Sequence, residues 1–171
     1  RPSPGGLHGV QLWTSLPRSE KRREPRYQHF AADALPSFER DGAVVRVIGG
    51  SLGGVTSPAE TVSPTLLAHI AFRSAAGFSL PLPEAFEVGV YVVRGSARVS
   101  GLSVQAGQLV ALAQGDAQVH LEAADADLLL LGGAPAERPL IFHGPFVLDS
   151  VEAVRRAERD YYEGRMGALQ A

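Results

Sequence analysis

The sequence predicts an all-β sandwich or barrel with one C-terminal α-helix, and three observations carry that prediction. Short apolar runs are broken by Gly, Pro or Asp about every 8 to 12 residues, the spacing of consecutive strands and turns. Gly (19) and Pro (12) are too frequent for a mostly helical chain. Only the stretch after Asp149 sustains a helical period.

Taken in order, strands are expected at 9–16, 44–48, 66–72, 78–82, 88–93, 97–99, 108–112, 118–122, 127–131 and 140–142. In the first, Val10, Leu12 and Leu16 share one face, and Gln11, Trp13 and Ser15 share the other. Arg40-Asp41-Gly42 and Gln114-Gly115-Asp116 supply turns. The run Tyr91-Val92-Val93-Arg94-Gly95-Ser96 ends a strand at Gly95, where a hairpin with positive φ is expected. In Gln118-Val119-His120-Leu121-Glu122, Val119 and Leu121 alternate with Gln118, His120 and Glu122. The helix begins at Asp149, with Glu152 at capping-box spacing, or at its rival Ser150. Val151, Val154, Ala157 and Tyr161 form its apolar stripe, and Gly164 or Gly167 ends it.

Composition excludes several functions. The 171 residues suffice for one domain. Lys+Arg at 16 against Asp+Glu at 18 gives a net charge of −2, so nucleic-acid binding by bulk charge is not expected. The absence of cysteine removes disulfides, thiolate nucleophiles and Cys-ligated metals. No apolar run reaches the roughly 20 residues of a membrane helix, so no membrane is expected as a partner. The opening residues from Arg1 lack an initiator Met and the apolar core of a signal peptide. The expectation is a processed form, a trimmed chain or a piece of something longer. Fifteen arginines against one lysine point to a GC-rich genome, hence to a bacterial cytoplasmic protein, or a nuclear one if eukaryotic.

No residue qualifies as catalytic, cofactor-binding or metal-ligating. The five histidines, at 8, 29, 69, 120 and 143, show neither His-x-His nor His-x-x-x-His spacing. His69 reads as a hydrogen-bonded core or rim residue and His120 as solvent-facing. The basic run from Arg18 to Arg26 is interrupted by Glu20 and Glu24 and followed by one aromatic, Tyr27, so it reads as a solvated loop. Ser57, Ser63, Ser79 and Ser103 lack the Gly-x-Ser-x-Gly elbow. Gly49-Gly50-Ser51-Leu52-Gly53-Gly54 leads to no helix and reads as a tight loop rather than a phosphate cradle.

Several stretches, in order, resemble the C-terminal half of the pirin family, a two-domain branch of the cupins. They are Leu7-His8-Gly9-Val10-Gln11-Leu12-Trp13 with Leu16-Pro17, then Pro25-Arg26-Tyr27-Gln28 and Val45-Arg46-Val47-Ile48-Gly49-Gly50 with Gly53-Gly54-Val55. Leu80-Pro81-Leu82-Pro83, Val90-Tyr91-Val92-Val93-Arg94-Gly95 and Gly144-Pro145-Phe146-Val147 follow. The last is Asp160-Tyr161-Tyr162-Glu163-Gly164-Arg165-Met166-Gly167.

The resemblance implies a cupin-type jelly roll. It divides the chain into a connecting strand and basic loop (1–26), a metal-free C-terminal cupin (27–148) and a helix (149–167). In the family, three histidines and a glutamate of the N-terminal cupin hold iron or another divalent metal, and none of those positions has a match here. The two cupin motifs, anchored on Gly95 and Gly107, place Leu82 and Glu84 (or Pro81 and Pro83), Val88 and Gln118 where ligands would stand. Gly115 is kept and Ala113 replaces a proline. A one-residue slip would turn Val119 inward instead of Gln118.

The implied function is that of scaffold and cover for a metal-holding cupin with quercetin 2,3-dioxygenase-type oxidoreductase activity. That cupin would be the N-terminal half of the same or another polypeptide. The alternative is a non-catalytic regulatory module that binds a protein partner, as a transcriptional cofactor or a metabolic-enzyme regulator. A small-molecule barrel would instead need an open interior lined by Leu82, Val88, Val90 and Val92. Exposure of Trp13 on the linking segment is expected in either of the first two cases.

Overall fold

A computed structural model describes residues 9–167, which form two compact units. One, the barrel unit, comprises residues 23–135; the other, the terminal unit, combines 9–22 with 136–167.

The barrel unit holds twelve strands: β1 (Ser37–Arg40), β2 (Ala43–Gly49), β3 (Ser51–Leu52), β4 (Val55–Thr56), β5 (Thr65–Phe72) and β6 (Ala76–Pro81). β7 (Glu87–Arg94), β8 (Ser96–Val99), β9 (Leu102–Gln105), β10 (Leu109–Ala111), β11 (Gln118–Ala123) and β12 (Ala126–Gly133) complete it. They form an antiparallel six-stranded sheet, ordered β1-β2-β5-β12-β7-β10, and a four-stranded sheet, β6-β11-β8-β9, with β3 and β4 as a separate hairpin. The chain repeatedly crosses between the two sheets, which is the jelly-roll arrangement.

Alternation explains the core. On β2, β5 and β7, every second residue is fully buried: Val45 and Val47, Ala68 and Ile70, Val90 and Val92. Leu80, Val99, Val119 and Leu121 face them from the four-stranded sheet, all at 0% exposure. Phe72 and Phe78 stack with centroids 5.4 Å apart and join the sheets. In β12, Leu129 lies on the outer face yet is nearly buried, between His69 and Tyr91 in register.

Four local expectations change. Residues 9–16 form no strand, and Val10 and Leu12, expected to pack inward, are exposed along with Trp13. Gly95 has the expected positive φ, +79°, but it marks the corner where β7 leaves one sheet and β8 enters the other, not a hairpin. β1 was not expected, because Ser-Phe-Glu-Arg contains one apolar residue. Its signal is Asp41-Gly42, a two-residue turn with φ +47° and +83° that pairs Arg40 with Ala43. The Gly49–Gly54 loop becomes the β3–β4 hairpin, turned by Gly53 and Gly54.

In the terminal unit, β13 (Ile141–His143) pairs with β14 (Phe146–Leu148), and α1 runs Val151–Tyr162. Ser150 is the cap, its Oγ accepting a hydrogen bond from Ala153 N–H 3.1 Å away; Asp149 is engaged by Arg18 instead. The helix ends before Gly164, at φ +72°. Its expected apolar stripe is only partly used: Val154 is buried, whereas Val151 and Tyr161 are exposed. No described helix is long and apolar enough to cross a membrane.

Candidate functional site

A cupin's chemistry sits inside its barrel, so the inward-facing positions decide what this barrel can hold. Leu82 and Val88 are buried within the continuous apolar core. The register of β11 is settled by Val119 pairing with Leu80, both at 0% exposure, which turns Gln118 outward. Glu84 is exposed on the β6–β7 connection. Hydrocarbon therefore stands where a metal would need nitrogen or oxygen donors, and the residues present do not fit a cupin metal. Val90 and Val92, which would line an open small-molecule pocket, are fully buried against neighbouring side chains. Among the described residues, no three His, Asp or Glu side chains are placed to hold a metal ion.

The described histidines of the two units are instead engaged in pairs or lie on the surface. His69 Nε2 stands 3.1 Å from Asp127 Oδ1 on the outer face of the six-stranded sheet. His120 Nδ1 is 3.1 Å from Ser79 Oγ, and its Nε2 is 3.2 Å from Glu122 Oε1, on the solvent face of the other sheet. His143 Nε2 lies 2.9 Å from Glu158 Oε1 within the terminal unit. His29 is exposed, and His8 lies outside the described residues.

The strongest electrostatic feature is a charge network around Asp127. Its Oδ1 accepts from Arg73 at 3.1 Å and its Oδ2 from Arg94 Nε at 2.7 Å. Arg94 also donates twice to Asp125, at 2.9 and 2.6 Å. Burial pushes the Asp127 carboxyl upward, but the hydrogen bonds from Arg94 and Arg73 outweigh it and hold it below its ordinary range. The Arg94 hydrogen bonds likewise lower Asp125, and the two carboxylates raise Arg94. The two arginines and two carboxylates answer one another, so the network fastens β12 to β7 and to the end of β5.

Other sequence features are also structural. Ser57 is buried, donating to Ile48 C=O at 2.7 Å and accepting from Ala59 N–H. Within the basic run, Arg26 binds the Glu60 carboxylate and backbone carbonyl, so part of the expected solvated loop is pinned to the barrel unit. Arg18 donates its backbone N–H to Glu137 and pairs with Asp149 inside the terminal unit.

What remains is surface. Among the described residues, eight of the eleven exposed large hydrophobics belong to the terminal unit: Val10, Leu12, Trp13, Phe142, Val151, Tyr161, Tyr162 and Met166. The sequence expects Trp13 to be exposed, as it is; it places Phe142 in a strand, where β13 has it, and Tyr161 on an apolar stripe that the structure leaves open, because periodicity shows which residues share a face and not whether anything covers it.

Comparison with known proteins agrees with this geometry. The pirin C-terminal cupin domain family matches residues 67–167. The chain belongs to the pirin family. It is 36% identical over 169 residues to a Pseudomonas aeruginosa protein to which quercetin 2,3-dioxygenase activity is provisionally ascribed, covering 96% of this chain and 59% of that protein. It is 31% identical to Homo sapiens pirin over 171 residues, again covering 96% and 59%. Among solved structures, a quercetin 2,3-dioxygenase from Acinetobacter baumannii superposes with a TM-score of 0.87 at 26% identity, over 92% of this chain and 56% of that one. This chain thus spans a little over half the length of the pirin relatives it matches.

Proposed function

We propose that this chain is the metal-free cupin of a pirin-type two-cupin protein. In this reading it is scaffold and cover for a cupin that holds iron or another divalent metal and carries quercetin 2,3-dioxygenase-type activity. The observation that carries the reading is the packed barrel: Leu82, Val88 and Val119 fill the positions from which metal ligands would point inward. The names of the relatives supply the reaction type, and their greater length supplies room for a second cupin. Rigid support suits such a barrel, since a close-packed apolar core has little to reorganise when substrate binds.

Metal analysis and turnover test it together. This chain, purified without a histidine tag, should contain far less than one equivalent of Fe, Ni, Mn, Cu or Zn and turn over quercetin at background. The polypeptide as its source makes it should have a mass near twice this chain's 18.1 kDa, contain about one metal and consume quercetin. Stoichiometric, chelatable metal in this chain would sink the reading. So would a source polypeptide of about 18.1 kDa.

A further inference from the structure

Ser79, His120 and Glu122 stand together on the solvent face of the four-stranded sheet. Ser79 of β6 lies directly across from His120 of β11, and Glu122 is two residues further along the same face. The contacts follow that order: Ser79 Oγ is 3.1 Å from His120 Nδ1, and His120 Nε2 is 3.2 Å from Glu122 Oε1. A hydroxyl on one ring nitrogen and a carboxylate on the other is the arrangement that activates a serine nucleophile. The carboxylate selects the tautomer with its proton on Nε2, which leaves the Nδ1 lone pair facing the Ser79 hydroxyl.

The backbone makes this alignment. Leu82 N–H donates to Ala117 C=O, and Ser100 N–H donates to His120 C=O. Antiparallel ladders alternate, so Ser79 and His120 face each other as a non-hydrogen-bonded pair, the kind whose side chains stand closest. Glu122 has Arg98 directly across on β8, yet Arg98 donates to Gly101 C=O and Glu122 turns to His120. Gly77, across from Glu122 on β6, makes room for it: a Cβ there would stand 3.1 Å from Glu122 Cγ. The same alternation directs Ser79 N–H away from β11, to the side of β6 where no described strand pairs. There it can donate to the oxygen of a carbonyl held at Ser79 Oγ, one of the two donors of a full oxyanion hole.

We infer that Ser79, His120 and Glu122 form an acyl-transfer site that takes the acyl group of small activated esters. Ser79 Oγ attacks the ester carbonyl carbon while His120 Nδ1 takes the hydroxyl proton. The tetrahedral oxyanion collapses, the C–O bond to the leaving group breaks, and His120 gives the proton to the departing oxygen. Water then attacks acyl-Ser79 with His120 again as base, so ester and water become acid and alcohol. Glu122 touches no substrate and is a positioning residue. With one oxyanion donor and a half-exposed imidazole, the site suits good leaving groups such as aryl oxides rather than amides. Beyond Glu122 the face opens into a shallow depression of about 400 Å³, where Arg98, Ser103 and Gln105 offer hydrogen bonds to a polar substrate.

A fluorophosphonate probe and p-nitrophenyl acetate test the site in the full 171-residue chain. The probe should attach once, and peptide mass spectrometry should place it on Ser79. Hydrolysis of p-nitrophenyl acetate should exceed that by five equivalents of free histidine, one for each histidine of the chain, by at least about tenfold. Ser79→Ala and His120→Gln should each remove at least about nine-tenths of that excess. Glu122→Gln should lower kcat several-fold at unchanged KM, and Glu122→Asp should restore part of it, which a merely structural role would not do. Gln118→Ala, on the same face and outside these contacts, should leave the rate unchanged. Probe attachment in the parent decides the question even where a variant folds poorly. A probe found on another residue, or on none, would overturn the inference. So would undiminished hydrolysis by Ser79→Ala or His120→Gln, which would reduce the three side chains to an ordinary surface cluster.

Discussion

The barrel unit and the terminal unit spend their apolar residues in opposite ways. In the barrel unit, alternation puts Val45, Ile70, Val92, Val119 and Leu130 into a core that water does not reach, and the outer faces are closed by cross-strand neighbours and ion pairs. In the terminal unit the largest side chains face outward around a single buried valine. The barrel unit has an extensive core of its own, whereas the terminal unit buries a single apolar side chain among its described residues. Mutations should therefore act differently in the two, and their ranking is a way to break the comparison.

The largest effect belongs to the barrel. Phe72→Ala removes the ring that stacks on Phe78 between the sheets, and should cost about 3–5 kcal/mol in urea unfolding. A loss below about 1 kcal/mol would mean that the inter-sheet core is not what holds the unit together. Gly95→Val comes next. Its φ of +79° suits glycine, and a Cβ there would stand 2.3 Å from the Asp125 carbonyl oxygen, so a loss of about 1–3 kcal/mol is expected. A parent-like melting temperature would show that the sheet-crossing corner at Gly95 is wrongly placed.

Asp127→Asn should cost about 1 kcal/mol, modest because Arg73 and Arg94 are each about half exposed. It also sharpens the pH behaviour. Asp127 has its folded-state pKa below the unfolded value, so its contribution is full above about pH 4 and is lost as pH falls through the folded value. The parent should lose stability on that acid limb, and Asp127→Asn should flatten it. Identical acid limbs would remove the network from the account of barrel stability.

Smaller effects are expected in the terminal unit. Ser150→Ala deletes the cap of α1 and should weaken the helix by about 0.5–1 kcal/mol, visible as lost helical circular dichroism without a shift in barrel melting. A barrel transition that moves with it would show that the helix is part of the barrel's cooperative unit. Least of all, Tyr162→Ser should change the stability of the isolated chain by less than about 0.5 kcal/mol, since an exposed ring has little to lose. A larger loss would mean that the ring is buried in solution and would erase the contrast between the units.

Legibility from sequence followed the same divide. β7 and β11 are readable by alternation, and β2, β5 and β12 as short apolar runs, each bounded by turns that carry Gly, Asp or Pro. β1 and β9 escaped, each too polar and short to alternate visibly, and they exist because a neighbouring strand offers hydrogen bonds. The segment 9–16 alternates well and still forms no strand, because no strand of the described residues pairs with it.

The sequence by itself determined the β architecture, the capped C-terminal helix and, through Leu82 and Val88, much of the hydrocarbon character of the barrel interior. These follow from local pattern and from side-chain chemistry, which a residue carries wherever it is placed. Tertiary structure decided that Val119 rather than Gln118 turns inward, that Gly95 is a corner between sheets, and that Tyr161 and Phe142 stand in the open. Each of these depends on what lies across from a residue in space, and periodicity along a chain fixes only which residues share a face.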